Sequence, residues 1–168
     1  MFSRSMTGWE AERLNEVAGF VAAEHKAVEV KDASHVFEVA RYSLEIAEHI
    51  EDKVDPFVLI YGALLHDIGR SVTGPALHVE KGAEIAEKFM KRAGISERIA
   101  ARIKRIVLTH TPMSDLSADA SEEKIVFDAD ILDGFGKIGL IQLVMGKKGS
   151  FESILRSPME KIRNSYNM

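Results

Sequence analysis

Apolar residues recur at helical spacing along nearly the whole chain. Leu14, Val17, Ala18 and Val21 form one stripe, which predicts a first helix from Trp9 to about Lys26. Lys31-Asp32-Ala33-Ser34 reads as a start signal, and a second helix follows from His35 to Ile50. Its residues His35, Val39, Tyr42 and Ile46 share a face. Asp55-Pro56 is an N-cap followed by proline at the first helical position, so a third helix starts there. From Phe57 to Ile68 that helix is apolar on all sides, the pattern of a buried element. It should end at His66-Asp67-Ile68-Gly69, with Gly69 as the left-handed residue past the end. Gly74-Pro75 opens a fourth helix that reaches Ala93 and closes at Gly94. Ser96 caps a fifth, which runs to Thr111 and is terminated by Pro112. Ser121 begins a sixth, through Asp133. Ile125-Val126-Phe127 would suit a strand, but no strand partner is visible, so helix is the better reading. Two further helical pieces, Gly134 to Met145 and Phe151 to Ile162, complete the pattern. The expectation is an all-α fold, with residues 1–168 forming a single domain without repeats or linkers.

The length of 168 residues suits one domain, and such a chain buries roughly 70% of its unfolded surface. With 46% hydrophobic and 29% charged residues it is globular in composition. A net charge of −4 gives no reason to expect nucleic acid as a general partner. No stretch approaches the ~20 apolar residues of a membrane span, and Met1 to Glu12 lacks the apolar region of a signal peptide. No membrane partner and a cytoplasmic location are therefore expected. The amphipathic first and last helices could support a homodimer. The absence of cysteine changes the picture most, since it excludes disulfides, thiolate metal sites and a thiol nucleophile.

Six histidines remain. His66 and Asp67 fall at the C-terminal end of the most apolar helix. A buried, unpaired carboxylate costs several kcal/mol in practice, and the helix C-terminus repels it by a further few tenths to about 1 kcal/mol. Asp67 thus calls for a cation, either an arginine or a metal ion helped by His66. His35, His78 and His110 lie on the apolar faces of three other helices, and Asp130 lies in the largely apolar run 125–133. Each such residue alone is commonly a hydrogen-bonded core group. Four His and two Asp on five helices point together to a metal site. His25, between Glu24 and Lys26, and His49, beside Glu48, are expected to be solvated helix-end residues.

The chain resembles the HD superfamily of metal-dependent phosphohydrolases. The resemblance rests on His35, on Ala63-Leu64-Leu65-His66-Asp67-Ile68-Gly69, and on Phe127-Asp128-Ala129-Asp130-Ile131-Leu132-Asp133, and it extends over roughly residues 32–140. It implies an all-α helical bundle of five core helices plus terminal additions. It further implies that His35, His66, Asp67 and Asp130 bind one divalent metal. His78 and His110 match positions that hold a second ion in some branches, and His78-Val79-Glu80-Lys81-Gly82-Ala83 resembles an element of the HDIG-type members. His110 is followed by Thr111-Pro112, and no Gly-Tyr-Pro motif occurs, so cyclic-dinucleotide activity is not implied.

Nitrogen and oxygen donors without thiolate suit one or two ions of Mn, Fe, Ni, Co, Zn or Mg. Such an ion makes water acidic enough to attack phosphorus near neutral pH. The expected activity is hydrolysis of a phosphate ester or phosphoanhydride of a small phosphorylated substrate such as a nucleotide. Arg70, directly after the HDIG turn, and Lys81, one turn beyond His78, are the candidate phosphate partners, with Arg105 and Lys137 as further options. Asp133, one turn from Asp130, could orient a ligand or assist proton transfer. A di-iron oxygenase on the same scaffold and a non-catalytic metal-stabilised binding module are the alternatives. Gly134-Phe135-Gly136-Lys137-Ile138-Gly139 spells a dinucleotide fingerprint, but no strand precedes it and close helix packing explains it better.

Overall fold

Helix α3, Pro56–Leu65, is the axis of the molecule, because no face of it is polar. Phe57, Val58, Leu59, Tyr61, Ala63, Leu64 and Leu65 are all buried. The computed structural model describes residues 2–26, 33–73, 77–111, 114 and 116–135. Its other helices are α1 Gly8–Lys26, α2 Ser34–His49, α4 His78–Arg92, α5 Glu97–Thr109 and α6 Ser121–Phe135. A 3-10 turn, Ile68–Ser71, follows α3. No strand occurs among the described residues, apart from an isolated parallel bridge between Phe2 and Val54. The fold is all-α, as the periodicity predicts.

Helices α1, α2, α5 and α6 pack around α3, while α4 packs on α5 and on the 3-10 turn. The α1 stripe is as expected, with Val17 and Val21 buried and Leu14 and Ala18 against the core. The Phe20 ring stacks on Phe89 of α4 at 4.2 Å. On α2 the buried residues are Val36, Val39, Ala40, Ser43 and Ala47, so the core face is rotated slightly from the stripe expected through His35 and Ile46. That rotation leaves His35 at the edge of the core.

The helix ends follow local chemistry in some places and tertiary packing in others. Asp55 caps α3 as expected, accepting from the backbone N–H groups of Phe57 and Val58 at 3.0 and 3.4 Å. Helix α4 closes at Gly94, whose φ of 71° lies in the left-handed region. Ile95 N–H then donates to Met90 O at 3.0 Å, across the end of the helix. Ser96 occupies the N-cap of α5 but its side chain makes no capping bond, and α2 begins at an Ala33 cap, also without one. Helix α6 continues past Asp133 to Phe135.

Gly69 departs from expectation. Among the described residues only Gly94 has positive φ, and α3 ends at Leu65 with His66 as its cap. Gly69 lies within the 3-10 turn, where a Cβ would sit 1.9 Å from His78 O and 2.7 Å from Gly82 N. Close approach to α4, not backbone handedness, requires glycine there. The Gly74-Pro75 start, Pro112, Lys137 and the two pieces predicted after Gly134 lie largely or wholly outside the described residues.

Candidate metal centre

Helices α3 and α5 both end where α2 and α4 begin, and α6 crosses the same junction. Each element delivers one donor or two. His66 is the C-cap of α3 and His110 the C-cap of α5. Their rings turn back on their own helices. His66 Nδ1–H donates to Ala63 O at 2.7 Å, and His110 Nδ1–H donates to Val107 O at 2.8 Å. A carbonyl can only accept, so both Nδ1 atoms carry a proton, which leaves Nε2 as the ligand atom of each ring in its neutral form. His35 comes from the first turn of α2 and His78 is the first residue of α4. Asp130 and Asp133 lie one turn apart on α6.

The donors form two groups, each with its ligand atoms within 4.8 Å of one another. In the first, His35 Nε2 is 3.2 Å from Asp130 Oδ1 and 3.4 Å from His66 Nε2, while His66 Nε2 is 3.8 Å from Asp130 Oδ1. In the second, Asp67 Oδ1 lies 3.6 Å from His78 Nε2 and 3.5 Å from His110 Nε2. The other oxygen of Asp67, Oδ2, is 3.7 Å from His35 Nε2, so this carboxylate stands between the groups. Donors held about 2.0–2.2 Å from one ion stand roughly 3–3.5 Å apart, close to these separations.

Burial strengthens the fit. Asp67, His66, His78 and His110 are all 1% exposed or less. The buried His110 Nε2 makes no hydrogen bond among the described residues, a polar atom that an ion would satisfy. Burial drives the His66 imidazole down to about 3, outweighing the pull of Asp67 and Asp130, so it stays neutral with its lone pair available. Burial pushes the Asp130 carboxyl upward, but the hydrogen bond with His35 and the neighbouring imidazoles outweigh it and hold the group well below its usual range. The side chain of Asp130 is 26% exposed and that of His35 13%, so the junction opens to solvent on their side. Neutral imidazoles with ionised carboxylates are the donor set a divalent ion requires.

Around this cluster, Asp133 Oδ2 accepts the Nδ1–H of His35 at 2.6 Å. Arg70 Nε donates to Asp67 Oδ1 at 2.5 Å. The sequence calls for a cation beside Asp67, an arginine among the options, but assigns Arg70 to phosphate; a cation three residues past a carboxylate in a helical turn is the signal that it is this arginine. Lys81 is not brought to the cluster; it is exposed, with Nζ paired to Glu84 at 3.0 Å. Arg105 is taken up by Glu123 at 3.0 Å and by Ser117 O at 2.9 Å, which fasten α5 to α6 and the loop before it. His49 is exposed, as expected, and its Nδ1–H donates to Glu45 O at 2.7 Å. His25 is a correction: it is 3% exposed, a core residue of α1 and not a solvated one.

The HD domain family model matches residues 32–134, well over half of the chain. A tRNA (cytidine(56)-2'-O)-methyltransferase of Picrophilus torridus is 34% identical over 127 residues, covering 67% of this chain and 34% of that protein. A bifunctional uridylyltransferase/uridylyl-removing enzyme of Corynebacterium glutamicum is 28% identical over 128 residues, covering 75% of this chain and 17% of that protein. The chain therefore spans about a third of the length of the first of these relatives and less of the second. The crystal structure of a predicted HD superfamily hydrolase from an uncultured Thermotogales bacterium shares the fold with a TM-score of 0.60 at 22% identity, covering 92% of this chain and 86% of that one. With the matched segment enclosing His35, the His66-Asp67 pair and Asp130, the chain belongs to the HD domain family.

Proposed function

We propose that this chain is a metal-dependent phosphohydrolase that cleaves a phosphate ester or phosphoanhydride of a small substrate, a nucleotide being the favoured class. The observation that carries the reading is the pair of adjoining His/Asp groups joined by the buried Asp67 carboxylate. His35, His66, Asp130 and Asp67 would hold one divalent ion, and Asp67, His78 and His110 a second. A bound ion would supply a Lewis acid for the phosphoryl oxygen and would make its water acidic enough to attack near neutral pH. The metal could be Mn, Fe, Ni, Co, Zn or Mg.

The chain's own residues do the rest. The imidazoles of His66 and His110 are fixed by their own helix ends, so their lone pairs need no reorganisation. Asp133 fixes the ring of His35 and raises its basicity. Asp130 sits at the exposed side of the cluster, where it would face both the ion and an incoming substrate. Arg70, 28% exposed, can turn its outer guanidinium nitrogens to a phosphate oxygen. Lys81 would have to leave Glu84 to do so. Removal of a uridylyl group, named for the Corynebacterium relative, is also cleavage at phosphorus.

The test is phosphate release from nucleotides, sugar phosphates and model esters with added Mn, Mg, Co or Ni. Metal-dependent release that is lost in Asp67→Ala is expected. No release across the panel, with iron bound and oxygen consumed, would replace hydrolysis by oxygenase chemistry on the same donors.

A further inference from the structure

The two donor groups are alike in imidazoles but not in charge. The first has the carboxylate of Asp130, and Oδ2 of Asp67 stands 3.7 Å from its His35. The second has Asp67 Oδ1 as its single carboxylate oxygen, and that oxygen already accepts from Arg70 Nε at 2.5 Å. His78 and His110 add two imidazoles but no negative charge. A dication entering the second group meets Asp67 and Arg70 together, whose charges sum to zero. At the first group it meets at least one uncompensated carboxylate. The second group is the drier one, with His78 and His110 essentially unexposed, so salt and water screen this difference poorly.

Arg70 is the more exposed member of that pair. Its side chain is 28% exposed, whereas that of Asp67 is 2% exposed. A phosphate at the mouth offers it two charged acceptors in the geometry a guanidinium prefers. Taking that partner releases Oδ1 for an ion.

Resting on the metal reading above, we propose that the two cation positions are unequal and coupled. The group His35, His66 and Asp130 holds its ion tightly. The group Asp67, His78 and His110 holds a second ion weakly until phosphate draws Arg70 off Asp67. By linkage, the second ion raises phosphate affinity by the same factor. Arg70 is thus a specificity-determining residue for metal stoichiometry as well as a phosphate contact.

The experiment is a Mn(II) titration of the chelator-stripped full chain by equilibrium dialysis, with and without inorganic phosphate. The expected wild-type result is one tight ion, a second at least about tenfold weaker, and a second ion that tightens when phosphate is added. Arg70→Gln should tighten the second ion about tenfold without phosphate. Arg70→Lys keeps the charge and should leave it weak, and His110→Ala should remove the weak ion alone. Two ions of equal affinity in the wild type, or a second affinity unchanged in Arg70→Gln, overturns the proposal while leaving the metal site standing. If Arg70→Gln does not fold, the wild-type phosphate dependence decides. Failure of every protein, wild type included, to bind any Mn(II) overturns the metal reading itself.

Discussion

Asp133 of α6 accepts the Nδ1–H of His35 of α2 at 2.6 Å, across 98 residues of sequence. This bond sets which nitrogen of His35 faces Asp130 and His66. Asp133→Asn keeps the shape but can present an N–H where an acceptor is needed. Metal affinity at the first group should fall about 10- to 100-fold, the usual cost of losing such an orienting partner. A Mn(II) titration beside a thermal melt checks it, and unchanged affinity would show that His35 needs no orientation.

Asp67 belongs to the second group and its Oδ2 also stands 3.7 Å from His35 of the first, while His78 belongs to the second alone. Asp67→Ala should therefore abolish metal binding, and His78→Ala should leave one ion with reduced hydrolysis. Metal analysis of the purified variants distinguishes these. Two ions retained in His78→Ala would remove His78 from the set.

Gly69 faces backbone, not a yielding side chain. Gly69→Ala would put a methyl group 1.9 Å from His78 O, so α4 must shift away from the turn. A destabilisation of about 1–3 kcal/mol is expected from overpacking. Because His78 is the residue displaced, affinity at the second group should weaken together with stability. Urea unfolding combined with metal titration reads both, and a variant as stable as wild type would contradict the close approach.

At the far end of α3, the buried Glu10 accepts from Arg4 at 2.5 and 2.8 Å and from Thr7 N–H at 2.8 Å. The Arg4 hydrogen bond, opposed by burial and aided by Thr7, holds the Glu10 carboxyl down at about 2 from an ordinary 4.5. A carboxyl with a lowered folded value binds fewer protons folded than unfolded between those limits. Its contribution is present above about pH 4.5 and is lost as pH falls toward 2. Glu10→Gln should cost about 1–3 kcal/mol at pH 7, with the difference from wild type closing below pH 4.5. Urea melts at several pH values test it, and a pH-independent difference would assign the loss to packing.

What the sequence carried was mostly local. The Asp55-Pro56 start, the all-apolar α3 and the Gly94 stop are each decided within one helical turn, and each is seen in the structure. The grouping of His35, His66, Asp67, His78, His110 and Asp130 was legible because a polar residue on an apolar stripe must point inward. The misreadings share a cause. His25 looked solvated because its neighbours Glu24 and Lys26 are charged, but adjacent helical residues point about 100° apart. Gly69 was read from handedness when the approach of α4, invisible in one dimension, decides it. Lys81 was placed by sequence distance from His78, while its pairing with Glu84 turns on which way the helix surface faces.

The long separation between His35 and Asp133 also bears on the order of assembly. His66 and Asp67 are neighbours and His78 follows soon after, so these three can meet once α3, the turn and α4 have formed. The group His35, His66 and Asp130 exists only after α2 and α6, far apart in sequence, have closed on α3. Closing so large a loop is slow and comes late. During refolding, tight metal capture should therefore lag behind helix formation, and stopped-flow circular dichroism beside a metal-indicator dye would show the interval. A tightly held ion then marks a chain that has finished folding.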